Sequence, residues 1–243
     1  MKHMKLFASS RPLMLPLVLV FASALQLQSA QAQSICSNDK QTPTQQLLER
    51  FINADCEPCW ADPAALPATA GQIVLDWVVP GSKGDDGILS AVANRDGLTR
   101  LAAVAMQLPE SATTRLSTSE PHSGIKLRVA HGLALSGYVG ASIELKPSQT
   151  FAHGLSVTAW LALVEMLPKG TEGSVVERNL VRNVFTSAWN MPASLRKKEL
   201  LRLYEARAMS VAQGIDPDRL RVVGWIEDQK GRLVTAAQSE CTP

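Results

Sequence analysis

After its first thirty or so residues the sequence has no long apolar run, no surplus of either charge and only four cysteines, and each shortage narrows the reading. No later segment reaches the roughly 18 apolar residues that a membrane-crossing helix requires. Of 24 Lys and Arg, three precede residue 33, leaving 21 against 22 Asp and Glu, a net charge of about −1. A weakly acidic surface with scattered charge argues against nucleic acid as a partner. No GxSxG elbow surrounds Ser136, and "PGSKGDDG" lacks the spacing of a phosphate loop. His122, His131 and His153 show no clustered spacing with the cysteines, so neither a metal nor a cofactor is expected. "HGLALSG" and "AHGLS" put glycine after two of these histidines, which suggests turn or strand-end residues and not catalytic bases.

The first 32 residues do not read as part of the fold. Lys2, Lys5 and Arg11 form a basic start, Leu13 to Leu27 is apolar but interrupted by Pro16, and Ala30-Gln31-Ala32 offers a cleavage site before Gln33. This is the pattern of a secretory signal peptide, and it predicts a periplasmic or secreted protein. Gln33-Ser34-Ile35 ahead of Cys36 makes a poor lipoprotein signal. Export favours disulfides over free thiols, and four cysteines allow three pairings. The expected one joins Cys56 to Cys59 and Cys36 to Cys241, because chain ends tend to lie close together in compact proteins.

Along the chain, Leu47 to Ile52 reads as a short strand, Cys56 to about Leu66 as the start of a helix, and "GQIVLDWVV" (Gly71 to Val79) as a strand buried on both faces. A helical stretch follows, with Ile88, Val92, Leu98, Leu101, Val104 and Ala105 in an imperfect 3.6 period, breakable around Asn94 to Gly97. "PESATTRLSTSEPHSG" reads as a loop or linker. Beyond it strand-like runs dominate: 125–130, 138–145, 155–164, 177–185, and a closing hairpin of 220–227 and 232–237 around "DQKG". The exception is Ser194 to Gly214, which has helix-cap signals, although "EARAMSV" alternates like a strand. The organisation predicted is a signal peptide (1–32), an α/β domain (33–115) and a β-rich domain (120–243), the last an antiparallel β-sandwich.

"LLERFINADCEPC" resembles the dithiol region of thioredoxin-like proteins. More closely, it is similar to the "VELFTSxxCxxC" opening of a secreted proteobacterial family of unknown function, in which a thioredoxin-like domain precedes a β-domain. Glu49, Phe51, Cys56 and Cys59 fall on matching positions; Arg50 and Ile52 depart from them. "WLALVEMLPKGTEGSVVERNLVRNVF" and "VVGWIEDQKGRLVTAAQ" resemble two later patches of that family in the same order. The resemblance implies a thioredoxin-like fold with a redox dithiol. Such enzymes set a cis-proline beside the dithiol; Pro109 and Pro121 are the candidates, and neither has the usual neighbours.

Thiol–disulfide exchange needs one thiolate to attack and a second thiol to resolve, and two intervening residues on a helical turn bring the sulfurs within reach. Cys56, at the exposed helix start, would attack, and Cys59, one turn in, would resolve. Pro58 suits the first turn, where a missing N–H costs little. Asp55, Glu57 and Asp62 disfavour the thiolate, which predicts a reducing or weakly active couple. Glu49 and Asp76, on the strands beside the dithiol, are candidate proton-relay acids; the plainer roles are a solvent-facing strand edge and a turn cap. Arg178 and Arg182, four apart on a strand, could line one face for an anion, a solvated sheet face being the plainer role. The function expected is thiol–disulfide exchange on other exported proteins or with a redox partner. The alternatives are a non-catalytic envelope binding module with a structural CxxC disulfide, and a metal clip.

Overall fold

Two neighbouring strands, β2 (Gln46–Asn53) and β3 (Gln72–Val79), are buried at every position but the first. They run parallel in register from Gln46 opposite Gln72 to Asn53 opposite Val79. Burial on both faces is what their near-continuous apolar sequence requires. The structure is a computed structural model that describes residues 36–41, 44–62, 68–120, 125–146, 156–190 and 203–241. The expected signal peptide, His122, His153, Pro121 and Ser194 lie outside these residues.

Besides β2 and β3, the described residues form β1 (Cys36–Ser37), β4 (Ala112–Thr118), β5 (Lys126–Leu135), β6 (Tyr138–Lys146), β7 (Ser156–Leu167), β8 (Arg178–Asn190), β9 (Leu203–Ser210), β10 (Leu220–Asp228), β11 (Leu233–Gln238) and β12 (Glu240–Cys241). Among the described residues there are two α-helices, α1 (Glu57–Trp60) and α2 (Asp96–Ala103). The strands make two sheets, one of seven in the order β11-β10-β7-β8-β3-β2-β4 and one of five in the order β12-β1-β5-β6-β9.

The expected fold, a thioredoxin-like α/β domain followed by an antiparallel β-sandwich, is overturned by this architecture. Strands from the N-terminal half (β2, β3, β4) and the C-terminal half (β7, β8, β10, β11) share one sheet, and one helix is a single turn. Helix α1 stops at Trp60, and Pro63, three residues further along the sequence, disfavours helical backbone at Asp62. The helix expected from Ile88 begins only at Asp96, because Gly84, Gly87 and the short 3₁₀ turns at Gly84–Asp86 and Ser90–Val92 occupy the approach. The "linker" contains β4, an edge strand antiparallel to β2 and rich in β-branched threonine. Where a helix was expected around Ser194 to Gly214, Leu203–Ser210 is β9, paired along its length with β6.

The seven-stranded sheet curls until its ends meet. Thr44, just before β2, bridges Ala236 of β11, and Arg115 of β4 donates to the Gly231 carbonyl in the β10–β11 turn at 3.0 Å. Its concave side holds Phe51, Trp77, Trp160, Trp225, Leu75 and Val223, joined by Leu101 of α2. Gly97 lets α2 sit down on β3: a Cβ there would lie 2.6 Å from Val79 Cγ1. The convex side is covered by the five-stranded sheet, whose Val129, Val139, Ile143 and Leu145 pack on Leu161, Leu163, Val222 and Ile226. Past the edge of that cover, α1 closes a smaller cluster of Ile52, Ala54, Trp60, Val78, Leu167 and Leu180.

The two sheets approach most closely at Gly224, where a Cβ would stand 2.4 Å from Val129 Cγ1 and 2.9 Å from Ile143 Cδ1. Gly224→Val is expected to lower unfolding free energy by about 1–3 kcal/mol through overpacking. Gly140→Ala, with nothing within 4 Å of the new atom, should leave it near or slightly above the parent value. Urea titration of both variants checks the pair.

Candidate functional site

Cys56 and Cys59 are bonded to each other where β2 ends, and both are half-buried. Asn53 shapes the approach: its side-chain oxygen accepts from the Asp55 N–H at 2.9 Å, and its Nδ2 donates to the Pro109 carbonyl at 2.8 Å. Pro109 thus flanks the dithiol loop, and the described residues contain no cis peptide bond. Cys56 is the N-cap of α1 without a side-chain capping bond, and Pro58 sits in the first turn as its chemistry demands.

Asp55 is turned onto the glycine-rich loop that follows β3. Its carboxylate accepts from Ser82 Oγ at 3.0 Å and from the Lys83 N–H at 3.1 Å. Gly81 and Gly87 make room for it, since a Cβ at either would fall within 3 Å of the carboxylate. Desolvation opposes its charge, but the bonds from Lys83 and Ser82 hold its pKa below the usual carboxylate value. It is therefore an anion beside Cys56 at neutral pH.

The two acids expected as proton relays lie on opposite faces of the sheet, each at the centre of a buried ion-pair cluster. Glu49 faces the concave side, where Arg100 of α2 donates to both its oxygens (2.7 and 2.8 Å) and to both oxygens of Glu227 on β10 (2.9 and 2.6 Å). Arg115 adds a bond to Glu49 at 2.9 Å. The Arg100 guanidinium lies over the stacked rings of Trp160 and Trp225, at 4.7 and 5.2 Å from their centroids. Burial works against its charge, but Glu49 and Glu227 raise its pKa above the ordinary arginine value. Glu49 is fully buried and not at a solvent-facing edge, and it accepts hydrogen bonds from Arg100 and Arg115.

Asp76 faces the convex side and connects to the CxxC turn through one residue. Its carboxylate accepts from Arg50 Nη2 (2.7 Å), Arg178 Nη1 (2.8 Å) and the Asn179 N–H (3.1 Å). Arg178 also donates to Ser174 Oγ (2.8 Å) and to the carbonyl of Trp60 (2.7 Å), the residue after Cys59. Its guanidinium stacks 4.3 Å from the centre of the Trp60 ring. The indole N–H of Trp60 donates to the Glu172 carbonyl at 2.7 Å, in a loop where Gly170, Glu172 and Gly173 all have positive φ. Burial draws the Arg178 pKa down against the pull of Asp76.

The solvated arginine face read from the sequence is corrected here. Arg178 is fully buried, and Arg182 pairs with the buried Glu165. The β7–β8 register slips between Leu163 and Val164, leaving Arg182 as an extra residue on β8. The residues the sequence reading overlooked are Arg100, Glu227, Trp60 and the Glu172 loop. The one signal among them was a charge inside an apolar run, Glu227 in "VVGWIED".

The second disulfide, Cys36–Cys241, joins β1 to β12 across 205 residues, the pairing expected. His131 stands directly opposite Cys36 on β5 and is buried, not placed at a turn. Its Nδ1 is 3.0 Å from Ser239 Oγ. The ring lies near both sulfurs, with the three potential ligand atoms within 4.8 Å of one another, but the sulfurs are bonded to each other. No helix among the described residues is long and apolar enough to cross a membrane.

No family model matches the chain. No curated protein matches it. Among solved structures it is similar to HBP35 of Porphyromonas gingivalis, with 11% identity over 82% of this chain and 76% of that one, at a TM-score of 0.44. A likeness at that level carries no argument about fold or activity.

Burial, and then the charge of Arg221, push the His131 pKa from 6.5 to about 4. The folded state therefore refuses a proton that the unfolded chain accepts below 6.5. Stability from this group is complete above pH 6.5 and is lost as pH falls toward 4, on the order of 2–3 kcal/mol in all. His131→Gln should flatten that part of the stability curve, which denaturant titrations at pH 7, 5.5 and 4.5 will register.

Proposed function

We propose that the chain is an exported thiol–disulfide exchange protein of low oxidising power, whose Cys56–Cys59 pair acts on disulfides of other exported proteins. The observation that carries this reading is the contrast between its two bridges. Cys56–Cys59 joins two half-buried residues and closes a span of three, whereas Cys36–Cys241 joins a buried residue to an exposed one and closes 205. A cross-link restrains the unfolded chain more as its loop lengthens, by about 4.7 kcal/mol at 100 residues, so opening the short bridge costs the fold much less than opening the long one.

The chemistry follows from the neighbours. In the reduced protein the Cys56 thiolate attacks a client disulfide, forming a mixed disulfide and expelling one client thiolate. Cys59 then attacks Cys56, re-forming the intramolecular bond and releasing the second client thiolate. Two electrons pass to the client, the two protons given up by the Cys56 and Cys59 thiols reach it by exchange with solvent, and a dithiol redox partner must restore the reduced pair. A one-turn helix offers few free N–H groups to the Cys56 thiolate, and the Asp55 anion and Glu57 beside it repel that charge. Poor stabilisation of the reduced form makes the disulfide a weak oxidant, which suits reduction and not oxidation of clients. A two-arginine, one-carboxylate platform beneath Trp60 keeps the turn in place for repeated cycles.

The shortness of α1 also favours a second reading, a non-catalytic envelope binding module in which the CxxC bridge is a staple. Thiol labelling with mass spectrometry during graded reduction separates the two. Exchange predicts that Cys56 and Cys59 become labelled while Cys36 and Cys241 remain bonded. Opening of Cys36–Cys241 first, or of both together, contradicts it.

A further inference from the structure

Resting on that redox reading, we infer that Arg178 is the positioning residue that sets the redox equilibrium of Cys56–Cys59, by holding the Trp60 carbonyl and ring where the bridged turn places them. The turn has little of its own to keep it. It is four residues long, lacks a side-chain N-cap, and ends at Ala61. Isolated helical turns of this length are unstable because nucleation fixes several residues for a single hydrogen bond. Two things oppose its fraying: the covalent bridge from Cys56 to Cys59, and the anchor that Arg178 makes on Trp60.

The anchor is built to be rigid. Arg178 uses Nε on Ser174, Nη1 on Asp76 and Nη2 on the Trp60 carbonyl, with its plane stacked on the indole. Asp76 is in turn held by Arg50 and by the Asn179 N–H, on strands in the middle of the seven-stranded sheet. The planar fork thus has a fixed orientation before it meets the turn, so little ordering is needed when the Trp60 carbonyl arrives. Bridge and anchor select the same backbone conformation at residues 56–60. By reciprocity each favours the other: the anchor raises the effective concentration of one thiol at the other, and closing the bridge strengthens the anchor.

The consequence reaches a second segment. Trp60 Nε1 donates to the Glu172 carbonyl, and Glu172 holds a left-handed conformation unusual for a residue with a side chain. Opening the bridge therefore loosens Trp60 and releases the loop around Glu172, while the Asp76 cluster stays in place beneath.

The test equilibrates full-length protein with mixtures of reduced and oxidised dithiothreitol and reads the Cys56–Cys59 state by alkylation and mass spectrometry. Arg178→Gln is expected to shift the equilibrium about tenfold toward the dithiol, the worth of one charged hydrogen bond. Arg178→Lys, which keeps a cation on Asp76 but loses the fork, is expected to shift it by a smaller factor and serves if the glutamine variant does not fold. Trp60→Phe keeps an aromatic face for Arg178 but loses the bond to Glu172 and part of the ring packing, so it should also shift the equilibrium, by a smaller factor. Gly224→Ala is the control, since it strains the sheet interface far from the turn and should leave the equilibrium unmoved even as stability falls. Exchange in the parent with unchanged equilibria in the Arg178 and Trp60 variants overturns the positioning role alone. Equal shifts in Gly224→Ala would show that global stability, not positioning, sets the equilibrium. A parent bridge that does not respond to dithiothreitol overturns the redox reading itself.

Discussion

Arg100 is a guanidinium enclosed by protein, and it is tolerable only because Glu49 and Glu227 reach it from two distant strands. An unpaired charge in that position would be prohibitive, and removing one partner of such a buried set costs about 3–5 kcal/mol. The seven-stranded sheet must therefore curl enough to bring β2 and β10 within reach of one side chain of α2. Trp160 and Trp225 complete the enclosure by presenting ring faces to the cation, and Gly97 sets the depth at which α2 enters. Arg115 then ties β4 to the β10–β11 turn, so the ends of the sheet meet around the charge they neutralise.

Strand β2 carries consecutive charged residues to opposite faces, Glu49 to the concave cluster and Arg50 to the convex one with Asp76 and Arg178. A strand's period of two makes that division unavoidable. Both clusters thereby hold the strand that ends in the CxxC turn. This arrangement confines movable structure to the turn and to the loop that its Trp60 contacts. On the proposed reading, the Cys56–Cys59 bridge opens at the end of β2 without disturbing the sheet, whereas the Cys36–Cys241 bridge ties together two adjacent strands of the small sheet.

The strands with long apolar runs were legible: 47–52, 71–79, 155–164 and the hairpin around "DQKG" match β2, β3, β7 and β10–β11 to within a few residues. The position of the dithiol at a helix start and the pairing of all four cysteines were also readable, from spacing and chain order, but the expected difference between an exposed Cys56 and a buried Cys59 was not found, both being half-buried. Fold class was not. A strand, a helix signal and a second buried strand suggested an α/β layer, but the length of α1 was set by Pro63, and the partners that complete the sheet lie a hundred residues downstream, as with Asp76 opposite Leu180. Edge strand β4 was hidden by its Ser, Thr and Pro content, which suits a loop as well as a sheet margin. The ion-pair clusters were illegible for a related reason. Glu49 and Arg100 are 51 residues apart and Arg100 and Glu227 are 127 apart, and no local pattern marks which charge will meet which.

The central claim is that the CxxC bridge rests on a platform that does not depend on it. Hydrogen exchange on the protein with Cys56–Cys59 selectively reduced and alkylated, compared with the fully bridged protein, addresses this directly. The account predicts faster exchange confined to residues 54–62 and 169–174, with β2, β7, β8 and β10 unchanged. Loss of protection spreading through those strands would show that the bridge is a structural staple of the sheet, and would contradict it.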